Sequence, residues 1–274
     1  IEGIVLAANG DELARRRDRV VFVGSDLGPG TLADMLDEMP DRFFMEGVCE
    51  QNVMGIAAGL AMDGLIPFVN TIATFITRRA YEQVAMDVCL PNLPVRLIGN
   101  GGGVVYAPLG PSHLALDDIA LMRALPNMTV VAPTDADEMR RFMPETLSWP
   151  GPMYIRLGKG GDPMVSGADK VVSISNAGDG GADDGFAVGG SYLLRPPGDV
   201  LFVTTGVMAS RALDASNILA EQGIRCGVLH MPTIKPLDEE GLFEMAAGAR
   251  LLVSVEEHFL AGGFGGAVLE AMVD

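Results

Sequence analysis

Apolar residues recur along the chain with two alternating periods. Short runs rich in β-branched residues lie at 19–23 (RVVFV), 65–70, 95–98, 128–131 and 153–157. Between them, segments 52–62, 77–88, 116–124 and 135–147 space their apolar residues as helices do. Segment 52–62 (NVMGIAAGLAM) is small or apolar on most faces and predicts a buried helix. Pro91 stops the 77–88 helix, and Thr134 is placed to cap the 135–147 helix. A second series follows, with strands at 200–204, 225–229 and 251–255. Its helices are expected at 209–221, 237–247 and from 267 onward. Strands alternating with helices predict parallel sheets covered on both faces.

Between the two series, residues 176–190 (NAGDGGADDGFAVGG) hold too little apolar surface to bury. The expected fold class is therefore α/β, in two domains, each a mainly parallel sheet flanked by helices. The domains are expected over 1–160 and 198–274, with a linker over 161–197. The last helix has barely begun at Asp274, so the second domain is expected to be incomplete at its end.

Composition narrows the function classes. Apolar residues make up 49% of 274, enough for a sizeable core. The net charge of −17 argues against nucleic acid and against an anionic membrane surface as partners. Three widely spaced cysteines, Cys49, Cys89 and Cys226, fit reduced thiols in a cytoplasmic protein better than a disulfide framework. No apolar run reaches the ~18 residues of a membrane-spanning helix. The three histidines lack metal-ligand spacing, so no metal site is expected in this chain. Gly178-Asp179-Gly180 has no strand feeding it and is a weak metal candidate. The turn 261–266 (AGGFGG) opens a helix as phosphate-binding turns do, although a close-packed backbone turn is the commoner use of such glycines.

One segment stands out on chemical grounds. Residues 43–60 place Glu50 at the mouth of an apolar helix, among Phe43, Phe44, Val48, Val53 and Ile56. Capping is the ordinary role of an acid there. A carboxyl buried without an obvious cation is also a functional candidate, because burial is expected to raise its pKa.

Four segments of the first half carry a resemblance: 47–59 (GVCEQNVMGIAAG), 74–84 (TFITRRAYEQV), 110–128 (GPSHLALDDIALMRALPNM) and 154–163 (YIRLGKGGDP). With 199–206 (DVLFVTTG) and 255–266 (VEEHFLAGGFGG), they resemble the transketolase family in order and spacing. The resemblance covers the pyrimidine-binding and C-terminal domains. It implies the C-terminal subunit of a split transketolase, an enzyme of carbohydrate metabolism that moves a two-carbon ketol unit from a ketose to an aldehyde acceptor. It also implies thiamine diphosphate as cofactor, with Mg²⁺ held by an N-terminal diphosphate-binding subunit in an α2β2 heterotetramer.

The resemblance assigns roles residue by residue. Glu50 matches the activating acid that hydrogen-bonds a pyrimidine nitrogen, and Phe75 matches the aromatic that stacks on that ring. Ile72 is an apolar wall, Asp26 and Leu27 form a turn near the cofactor, and Arg78 joins this cofactor-binding set. His113 matches a catalytic histidine that contacts sugar oxygens. Lys159 stands in place of a phosphate-binding arginine, and with Arg156 it is expected to bind a substrate phosphate. Leu109 replaces an acid of the family pattern and cannot accept from a substrate hydroxyl. That replacement is expected to alter acceptor preference. Two other readings remain open: a thiamine-diphosphate enzyme acting on pyruvate or another 2-oxo acid, and a non-catalytic partner subunit.

Overall fold

Every residue of Val20–Gly24 (β1) is buried, as an apolar, β-branched run demands when both sheet faces are covered. The computed structural model describes residues 18–25, 32–167, 172–173 and 186–273. Asp26 and Leu27 lie outside them. The first sheet continues with Phe43–Met45 (β2), Ile66–Ile72 (β3), Arg96–Asn100 (β4), Thr129–Val131 (β5) and Met153–Leu157 (β6). The second holds Val172–Ser173 (β7), Tyr192–Arg195 (β8), Val200–Thr204 (β9), Cys226–His230 (β10) and Leu251–Val255 (β12). Thr233–Lys235 (β11) leaves the second half of the chain and pairs antiparallel with β5. The orders are β11-β5-β6-β4-β3-β1-β2 and β12-β9-β10-β8-β7. All other pairs of the first sheet are parallel. In the second, β12-β9-β10 is parallel, and β8 and β7 add antiparallel.

Side chains alternate across the first sheet. Val20, Phe22, Phe68, Ile98 and Ile155 pack on one face, against Phe142 and Met143 of helix Ala136–Thr146. Val23, Val69, Leu97 and Tyr154 pack on the other, against Val53, Met54 and Ala57 of helix Glu50–Met62. That second cluster runs on without a break into Leu201, Val203, Leu229 and Phe264 of the second sheet and its helices. One apolar core therefore joins the two sheets.

Three expectations need correction. The 161–197 segment is not all linker: β7 and β8 lie in it and belong to the second sheet. Asp135, rather than Thr134, caps helix Ala136–Thr146, accepting from the backbone N–H of Asp137 and Glu138 at 3.0 Å each. The 77–88 helix is wound wider than an α-helix. Turns Phe75–Arg79 and Val84–Cys89 are π-helical and flank the α turn Tyr81–Gln83. The Ala80 N–H donates to the Phe75 carbonyl, five residues back. Such π turns occur at functional sites, and no residue composition announces them. Among the described residues, no helix is long and apolar enough to cross a membrane.

Candidate active site

In open parallel sheets, ligands sit beyond the carboxyl ends of the strands, where the strand order reverses. Here the chain runs from β1 outward to β2 and then crosses back to β3, so the reversal lies between β1 and β3. Ser25 follows β1, and its hydroxyl donates to the Thr71 hydroxyl of β3 at 2.7 Å. Glu50, Phe75 and His113 all lie in the segments that follow the carboxyl ends of β2, β3 and β4.

Glu50 is the first residue of its helix and is 1% exposed. Its carboxylate does have a cation, contrary to the sequence expectation. Arg79 Nη1 donates to Glu50 Oε2 at 2.8 Å. Among the described residues that is the one hydrogen bond to this carboxylate. The same guanidinium lies over the Phe75 ring, with Cζ 4.1 Å from the centroid. Phe75 in turn meets the His113 ring edge-on, at a centroid distance of 5.2 Å and an interplanar angle of 69°. Arg79 thus bridges Glu50 and Phe75, and Phe75 carries the contact on to His113. The Ser112 hydroxyl bonds His113 Nδ1 at 2.9 Å. His113 Nε2 has no partner among the described residues.

Orphaned polar atoms line the same strand ends. Asn100 Nδ2 donates to Asn70 Oδ1, while Asn100 Oδ1 and the Thr74 hydroxyl are buried without a partner among the described residues. Buried polar atoms left unpaired are costly, and a polar ligand would satisfy them. Ile72 is half-buried at the end of β3, in register with Asn100.

Two side chains that the resemblance assigns to ligands are engaged within the chain's own fold. Arg78 was expected to hold cofactor, but its donors are taken by its own fold. It grips both oxygens of Asp117 and donates to the Leu114 carbonyl at 2.7 Å and the Pro111 carbonyl at 3.4 Å. Arg156 was expected to bind phosphate. It is buried, with Nε 2.7 Å from Asp118 Oδ2, and Nη2 donates to the carbonyls of Ala115 and Glu257. Burial opposes its charge, but the Asp118 carboxylate outweighs that and raises its pKa. Tyr154 completes the group by donating to Asp118 at 2.8 Å. Burial, and then Asp118, push the Tyr154 phenol well above its ordinary value. Lys159 is exposed beyond β6, with Nζ 5.8 Å from the Tyr106 ring centroid. No contact among the described residues links it to Glu50, Phe75 or His113.

The second domain packs against both ends of the segment that carries His113, which the sequence did not disclose. Glu257 Oε2 accepts from the Val104 N–H at 3.1 Å, and the Phe259 N–H donates to the Leu116 carbonyl at 2.7 Å. Glycines make room for this packing. A Cβ on Gly101 would strike the Tyr106 ring, one on Gly102 the Arg156 guanidinium, and one on Gly103 the Glu257 carboxylate. The 261–266 turn is likewise close-packed. Glu256 accepts from the N–H groups of Phe264 and Gly265, at 2.6 and 2.8 Å, where an anion would otherwise bind.

Comparison with known proteins agrees with this architecture. A family model described as transketolase, pyrimidine binding domain, matches residues 5–161. A second, transketolase, C-terminal domain, matches residues 189–274. The chain is 39% identical over 263 residues to a transketolase family protein of Sinorhizobium fredii, covering 95% of this chain and 72% of that one. It is 35% identical to the 6-deoxy-6-sulfo-D-fructose transketolase subunit of a Clostridium species, over 95% of this chain and 77% of that one. A solved structure described as a split gene transketolase, inactive β4 tetramer, superposes with a TM-score of 0.83 at 36% identity. It covers 99% of this chain and 83% of the other.

Proposed function

Since the chain belongs to the transketolase family, we propose that it is the C-terminal subunit of a split transketolase. It moves a two-carbon ketol unit from a ketose to an aldehyde acceptor. It acts only with a separate diphosphate-binding subunit, which holds Mg²⁺, in an α2β2 assembly. Two similarities support the split reading: a relative matched over 77% of its length is named a subunit, and the β4 tetramer is described as inactive. Among the described residues no cluster of His, Cys, Asp or Glu could hold a metal, so this reading leaves Mg²⁺ to the partner.

The carrying observation is the contact chain from Glu50 through Arg79 and Phe75 to His113. A buried carboxyl, an aromatic face and a histidine, beside two orphaned polar atoms, suit the aminopyrimidine of thiamine diphosphate. When bound, that cofactor supplies the carbon nucleophile and electron sink of ketol transfer. The chain's own residues bind and orient. Glu50 exchanges a proton with a ring nitrogen through its carboxyl. Phe75 presents its ring for stacking, and Ile72 keeps water from the strand ends. His113 offers Nε2 to a sugar oxygen. Lys159 is the remaining candidate for a substrate phosphate.

Reconstitution tests this reading. The chain alone is expected to be inactive, and the chain with its co-purified partner, Mg²⁺ and thiamine diphosphate is expected to transfer ketol units. Glu50→Gln should lower turnover at least about 100-fold with the complex intact by size-exclusion chromatography. Normal turnover of Glu50→Gln sinks the mechanism, and carbon dioxide release from pyruvate moves the reaction to 2-oxo acids.

A further inference from the structure

The loop that carries His113 has little of its own to hold it. It consists of two short 3₁₀ turns, Ala107–Leu109 and Pro111–His113, hinged at Gly110 with φ +85°. Inside it, the His113 N–H reaches only the Gly110 carbonyl, and the Leu114 N–H only that of Pro111. Among the described residues, the hydrogen bonds that reach residues 110–114 from outside the loop both come from Arg78. Asp117 fixes the orientation of that guanidinium by gripping Nε and Nη2. Arg78 belongs to the same π turn as Phe75, the ring against which His113 packs.

We infer that Arg78 is a positioning residue: it fastens the 110–114 loop to the Phe75 turn and so sets the place of the His113 imidazole. A planar fork suits this task, since it grips both oxygens of a carboxylate while its other N–H groups meet two carbonyls, a fixed planar geometry that an ammonium lacks. Arg78 and Asp117 are 35% and 32% exposed. Water can therefore replace the lost bonds when either is removed, and little stability is at stake. The loss falls on geometry, where a displacement of about 1 Å costs about 100-fold in rate. The kinetic half of this inference rests on the proposed role of His113; the structural half does not.

The first experiment uses the full chain alone. His113→Gln assigns the His113 imidazole signals apart from those of His230 and His258. Arg78→Met is expected to shift the His113 ring protons away from their ring-current positions beside Phe75. It should also speed amide exchange at His113 and Leu114 at least about tenfold, with a nearly unchanged thermal midpoint. Arg78→Lys is expected to fall between the two. Unchanged His113 shifts and exchange in Arg78→Met overturn the inference, whatever the enzyme turns over. In the reconstituted complex, Arg78→Met is expected to lower kcat at least about tenfold with KM for the donor within about twofold. A raised KM with kcat intact also overturns it. Normal turnover of Glu50→Gln strikes the proposed function, and the His113 spectra still decide the role of Arg78.

Discussion

Arg79 Nη1 lies 2.8 Å from Glu50 Oε2 while the same guanidinium covers the Phe75 ring. The two ends of the pair are unequal, because Glu50 is 1% exposed and Arg79 44%. Arg79 can leave into water at little loss, whereas Glu50 cannot. Arg79→Met therefore strands a buried carboxyl and should destabilise the chain by about 1–3 kcal/mol. Glu50→Gln removes the charge, so adding Arg79→Met to it should cost much less. Urea unfolding of the four proteins measures the coupling, and a value below about 0.5 kcal/mol contradicts the pairing.

Gly103 has φ +71° and lies where any Cβ would meet the Glu257 carboxylate. Gly103→Ala therefore has two separable costs. The left-handed backbone costs about 1–2 kcal/mol, and the displaced Glu257 also loses its bond from Val104. In a Glu257→Ala background only the first should remain. The comparison is a double-mutant cycle by denaturant unfolding. Strictly additive effects would show that the second domain does not press on this loop.

Much of this arrangement was legible in sequence where its signal was local. Glu50 draws notice because an acid opens an apolar helix. Phe75 and His113 enter only through the resemblance of their segments to the transketolase family. The pairing of Arg79 with Glu50 is not legible because the two lie 29 residues apart, and only the packing of one helix on another brings them together. The partners of Arg156 are hidden for the same reason. A cation near the end of a strand looks available until the fold sets Asp118 and the Glu257 carbonyl beside it. β11 was missed because three residues after a strand carry no pattern that says which sheet they join. The wide turns around Phe75 are set by tertiary packing, so periodicity saw only a helix.

Substitution of Arg156 and of Lys159 is expected to have opposite consequences. Arg156→Met leaves Asp118, which is fully buried, without its cation and should cost about 3–5 kcal/mol. It should leave any preference for phosphorylated over unphosphorylated substrates unchanged in the protein that still folds. Lys159→Gln should do the reverse, with little loss of stability and a raised KM for phosphorylated substrates alone. Thermal unfolding beside KM for the two substrate classes checks both, and a stable Arg156→Met with a lost phosphate preference would make Arg156 the phosphate ligand.

Asp135 provides the pH dependence with the clearest sign. Burial alone would raise its pKa. Hydrogen bonds from the Ser166 hydroxyl and from the N–H groups of Glu138, Val165 and Ser166 outweigh that and hold it below its ordinary value. A carboxyl depressed on folding contributes stability above its unfolded pKa of about 3.9 and loses it as pH falls through the lower folded value. Asp135→Asn keeps one acceptor oxygen but cannot take all of these donors, and should cost about 1–2 kcal/mol at pH 7. That difference should stay level down to about pH 5 and shrink below about pH 4, as the wild-type carboxyl gains its proton. Because the difference is taken against the variant, the other carboxyls of this acidic chain largely cancel. The helix that Asp135 caps also carries Glu138, whose carboxylate meets His230 of the second sheet at 3.0 Å. Loosening the cap should therefore be felt at the junction of the two domains, as faster amide exchange in both β10 and helix Ala136–Thr146. A stability difference that stays constant from pH 7 to pH 3 would show that the Asp135 charge contributes nothing to the fold.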